Sequence, residues 1–71
     1  MHDTHKQDYL AQADRHIAMA QERIARQKSI IDDLVQAGGE TDCAVSMLHT
    51  LETCLHALEQ HRETIFDRCK N

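Results

Sequence analysis

Five side chains in the second half of the sequence have the types that bind metals or move protons: His49, Glu52, His56, Glu59 and Glu63. Their steps of 3, 4, 3 and 4 place them along one face of any helix that carries them. Imidazole and carboxylate groups at such spacing can share a divalent ion, as in helical zinc and di-iron sites. A di-iron centre, however, uses Glu-x-x-His on two helices and further glutamates on two others. Here His56-x-x-Glu59 runs in the reverse order, and the first half of the chain offers Glu22 as its one glutamate. A solvated polar face explains the stripe more simply and is the reading adopted. His49, Glu52, His56 and Glu59 stay as the candidate ligands of a runner-up reading, a metal-binding or metal-sensing bundle.

The other chemistry-bearing residues are fewer and more scattered. His16 and His61 lie beside the apolar seam described below, at matching levels of two helices. A histidine pair at an interface would make assembly pH-sensitive, although semi-buried histidines satisfied by a neighbour are the commoner case. Arg62 and Gln27 each interrupt that seam and are expected to bond a carboxylate or a backbone carbonyl, fixing register as polar core residues do in coiled coils. Cys54 and His61 are one heptad apart, about 10 Å along a helix, too far for the histidine to activate the thiol; Cys54 reads as a small hydrophobe. His2, Asp3 and His5 form a terminal cluster suited only to loose metal binding. The sequence contains no GxGxxG, P-loop, GxSxG or HExxH motif. No catalytic residue and no cofactor is expected.

The elements that position these residues follow from the apolar spacing. In the first half Leu10, Ala13, Ile17, Ala20, Ile24, Gln27, Ile31 and Leu34 step by 3 and 4 in alternation, with Gln27 the single polar member. In the second half Ala44, Leu48, Leu51, Leu55, Leu58, Arg62, Ile65 and Cys69 repeat the pattern, with Arg62 the single charged member. Each is the seam of a helix packed lengthwise on another. Between them Gly38-Gly39-Glu40-Thr41-Asp42 supplies a glycine for the left-handed end of the first helix and Thr41 or Asp42 to begin the second. Thr4-x-x-Gln7 reads as a capping box. The expected fold is all-α: an antiparallel two-helix hairpin over about residues 5–37 and 42–69. It forms one domain over 1–71, with a turn at 38–42 and a frayed segment at 1–4.

Helices of this length span about 45–50 Å. The short turn makes them antiparallel neighbours and sets the register: Leu34 near Ala44 and Leu48, Ile24 near Leu55, Ala20 near Leu58. Leu10 and Ala13 then close on Ile65 and Cys69, and Asp14 comes within reach of Arg62. A second set of apolar residues flanks the seam. Val35, Val45 and Phe66 lie on one side, and Tyr9, Ile30, Ala37, Met47 and Cys54 on the other, with Met19 also outside the seam. Sectors this wide suit a bundle helix better than a two-stranded pair. The hairpin is therefore expected to dimerise into a four-helix bundle, with Gln27, Arg62, His16, His61, Ile30, Met47 and Phe66 setting its interface and register.

Bulk composition excludes several classes. With no proline, two adjacent glycines and 3% aromatic residues in 71, a many-turned β sandwich or an α/β enzyme is not expected. The formal charge is -4, and neither half has the cationic excess that phosphate neutralisation requires, so no direct nucleic-acid partner is expected. No segment resembles a signal peptide or approaches a membrane span. Cys43, Cys54 and Cys69 form an odd set without CxxC spacing, which fits a reducing cytoplasm.

The strings His16-Ile17, Ile24-Ala25-Arg26-Gln27, Ile30-Ile31 and Leu34, the glycine turn with Thr41, Met47-Leu48-x-x-Leu51 and His61-Arg62-x-x-Ile65 together resemble a group of short, uncharacterised bacterial helical-hairpin proteins. The resemblance covers roughly residues 13–66, and Arg26-Gln27 and His61-Arg62 are its distinctive parts. At the turn the chain departs from that group, carrying Gly39-Glu40-Thr41-Asp42 instead of a glycine–polar–Asp–Thr order. The resemblance implies a hairpin and no activity. The expected function is that of a small oligomeric protein-interaction or regulatory module in the cytoplasm, without catalysis, its first partner a second copy of itself. Besides the metal-binding reading, an acidic inhibitor of a nucleic-acid-binding or other basic protein is a further alternative.

Overall fold

Heptad spacing without an interior glycine or proline leaves each half of this chain one regular option, and both halves take it. The computed structural model describes the backbone of residues 2–70 and the side chains of residues 8–68. Helix α1 runs His2–Gln36 and helix α2 runs Asp42–Lys70; the described residues contain no strand. Helix α1 begins ahead of the expected residue 5, since nothing in His2–Tyr9 breaks a helix. The capping box at Thr4 and Gln7, the cluster of His2, Asp3 and His5, the fraying expected at 1–4 and the seam position of Cys69 all lie outside the described side chains.

The end of α1 is a Schellman motif. Gly38 adopts φ 73°, the left-handed conformation that a side chain would strain. The Gly39 N–H donates to the Leu34 carbonyl at 2.9 Å and the Gly38 N–H to the Val35 carbonyl at 3.1 Å, so carbonyls left over by the last helical turn are satisfied. The chain then reverses, and the Thr41 carbonyl accepts from the Val45 N–H at 2.8 Å as α2 begins. Asp42 follows in the first turn, where the helix dipole favours an acid.

The two helices pack against each other as an antiparallel hairpin. Every expected seam position from Leu10 to Ile65 is buried or half-buried, including Gln27 and Arg62. Thr41 and Val45, at the turn end, join them. The polar intruders pin the register. Gln27 Nε2 donates to the Ala44 carbonyl at 2.9 Å, and Arg62 Nε donates to Asp14 Oδ1. One bond lies toward the turn and the other toward the open end, so a slip of one helix past the other would break both.

The seam is nevertheless thin. Among the described residues only two hydrophobics, Ala13 and Ile24, are buried, at 7% and 8% exposure. The hairpin measures 56 × 14 × 11 Å, and its radius of gyration of 16.5 Å far exceeds the roughly 11 Å of a compact domain this long. Among the described residues no helix is long and apolar enough to cross a membrane.

Candidate functional site

Once the seam has taken one stripe of each helix, two sides of the hairpin remain, and they differ. Residues one step before every second seam position recur every seven: Tyr9, His16, Arg23 and Ile30 on α1, and Met47, Cys54, His61 and Arg68 on α2. In an antiparallel pair these two rows flank the seam on a common side. Met19 stands just outside the α1 row. The residues that follow the seam flank the opposite side: Asp14, Gln21, Lys28 and Val35 on α1, and Val45, Glu52, Glu59 and Phe66 on α2.

The first side is concave at its middle. A groove of about 280 Å³ has Ala20, Leu51 and Leu58 as its floor, Met19, His16 and Arg23 as one wall and Cys54 as the other. Its cause is local: Ala20 occupies a seam position where its neighbours carry larger side chains, so the floor drops between the helices. Among the described residues, four of the six exposed large hydrophobics belong to this side, namely Tyr9, Met19, Ile30 and Met47. Cys54, expected as a buried small hydrophobe, is instead a free, exposed thiol at mid-length, because it lies one step outside the seam. The charges here are basic, with Arg23 on the wall and Arg26 beyond it, and both have long stems that reach water from the rim. Arg26 also pairs with Glu22 at 3.4 Å, as their spacing of four predicts.

The opposite side is acidic. His49, Glu52, His56, Glu59 and Glu63 are all exposed along α2. His49, Glu52 and His56 line a shallow depression with Thr53. The Thr53 hydroxyl donates to the His49 carbonyl at 2.9 Å, and His56 Nε2 lies 3.1 Å from Gln60 Nε2. Both partners come from the same helix, and among the described residues the stripe has no hydrogen-bond partner on α1. Among the described residues no three His, Cys, Asp or Glu side chains gather closely enough to hold a metal ion. The candidate ligands therefore form an open row along the helix and do not converge on a point.

The remaining expected residues divide between seam and rim. Gln27 and Arg62 are seam residues with the partners given above. His16 and His61 are both exposed and not semi-buried as expected; His16 lines the groove and His61 lies outside its lining. Ile30 and Met47 are exposed on the groove side, and Phe66 on the acidic side. Arg23 and the side taken by Met19 do not follow from the apolar pattern, because one is charged and the other lies off the seven-residue row. The available signal was the seven-residue recurrence of His16, Arg23 and Ile30. The chain matches no known protein family, no curated protein and no solved structure.

Proposed function

We propose that this chain is a self-associating helical hairpin, two copies of which form a four-helix bundle. The bundle works in the cytoplasm as a protein-interaction or regulatory module and performs no catalysis of its own. One observation carries the reading: the hairpin leaves its apolar residues wet. It exposes 5738 Å², against about 4,500 Å² for a compact monomer of its mass. The excess, about 1,200 Å², is more than the roughly 800 Å² that each partner contributes to a standard stable interface. A second copy offers the same excess of surface and the same exposed apolar residues, and a four-helix arrangement is the common way for such sectors to be covered.

Sedimentation equilibrium on the untagged chain tests this directly. The expected mass is twice the 8.2 kDa of one chain. A single-chain mass at every concentration, with cooperative unfolding retained, would overturn the proposal.

A further inference from the structure

We infer that the second copy seats on the groove side of the hairpin, inverted end for end about a two-fold axis through the middle of the groove. This rests on the self-association proposed above and adds the face and the direction of the contact.

The choice of face follows from what each side would have to desolvate. Pairing through the acidic side would set Glu52, Glu59 and Glu63 of one copy against the same residues of the other, and like charges brought out of water together oppose association. The groove side carries no acid among its row residues, and its arginines can remain at the rim. It also holds Met19 and Met47, each 53% exposed, whose flexible thioethers adapt to an irregular floor. The excess of about 1,200 Å² over a compact monomer is large enough for one standard interface. One side is covered, and the acidic side stays in water.

The direction follows from spacing along α1. Tyr9, Met19 and Ile30 succeed one another by 10 and 11 residues, about 15–16 Å each. Inversion about the Met19 level therefore lays Tyr9 of one copy against the Ile30 and Met47 end of the other, while the two grooves meet at the centre. Inversion also separates the two Arg23 side chains by about 12 Å along the axis, whereas a pairing with both turns at one end would set them level.

Two measurements test face and direction, each read on the full chain. Met19→Glu places a charge near the axis in both copies. It is expected to weaken dimerisation by roughly a hundredfold or more in sedimentation equilibrium, while Val35→Glu and Glu59→Lys on the other side leave it within about threefold. A dimer that survives Met19→Glu and dissociates with Val35→Glu would overturn the inference and leave self-association standing. A wild-type monomer would instead remove the parent proposal. For direction, the cysteines at 43, 54 and 69 are replaced by serine, and Tyr9→Cys and Ile30→Cys proteins are oxidised separately and mixed. Disulfide geometry demands close approach, so inversion predicts a mixed crosslink between the two variants. Self-crosslinking of each variant alone, without the mixed product, would contradict it.

Discussion

Two stripes of helix α2 have the same spacing and opposite fates. Leu48, Leu51, Leu55, Leu58 and Arg62 form the seam and are half-buried; His49, Glu52, His56, Glu59 and Glu63 follow each of them by one residue and are all exposed. A shift of one residue is a rotation of about 100° around a helix, enough to carry a side chain from the partner helix into water. The 3-4-3-4 rhythm that made the polar stripe resemble a metal site is thus inherited from the seam beside it. Any residue type placed after the seam positions would show it. Periodicity locates a face, and only side chains converging from more than one direction make a site.

Substitutions at adjacent positions should therefore differ sharply in effect. Leu55→Asp is expected to have the largest effect, since it puts an unpaired carboxylate into the seam at a cost of about 3 kcal/mol or more. Loss of the helical circular dichroism signal at ambient temperature would show it. A cooperatively folded variant would mean that the seam contributes less than its burial implies. The turn offers a second adjacent pair, with a smaller expected effect. Gly38→Ala forces a side chain into φ 73° and should cost about 1–2 kcal/mol. At Gly39 an added Cβ meets Leu34 only at 3.6 Å, so Gly39→Ala should be neutral or stabilising by up to about 1 kcal/mol. Urea midpoints of the two variants should move apart.

Smaller effects sharpen the contrast further. Arg62→Ala removes a pair whose side chains are 39% and 56% exposed, so its loss should cost less than about 1 kcal/mol. Part of that cost reflects the aliphatic stem in the seam and not the charge. Arg62→Met, which keeps the stem volume, should recover most of the midpoint. At the bottom of the scale, His49→Ala and His56→Ala should each change stability by no more than about 0.5 kcal/mol. Added zinc should not raise the thermal midpoint of the wild type. A stoichiometric zinc shift that disappears with His49→Ala would revive the metal reading.

The hairpin was legible because burial in a two-helix pair depends almost wholly on heptad position, so the list from Leu10 to Ile65 transfers from sequence to structure. Val45 and Thr41 escaped that list because they belong to the turn end, where α2 has only just begun and lies close under the last turn of α1. The groove was not legible as a shape. Met47, Cys54 and Ile30 could be assigned to one side from spacing, but the depression depends on how far Ala20 leaves Leu51 and Leu58 uncovered. That is a property of facing residues rather than of either helix alone. Charge followed the same rule: a formal total of -4 gave no hint that the acids of α2 crowd one side while Arg23 and Arg26 occupy the other.

The claim that the missing core is supplied by a second copy is tested most directly by the dependence of thermal unfolding on protein concentration. For a folded dimer in equilibrium with unfolded chains, mass action makes the midpoint rise as the protein is concentrated. A self-associating hairpin gives a steady rise over roughly a hundredfold range of concentration, accompanied by loss of the dimer mass on dilution. A midpoint independent of concentration, with the chain sedimenting at its own mass throughout, would contradict it.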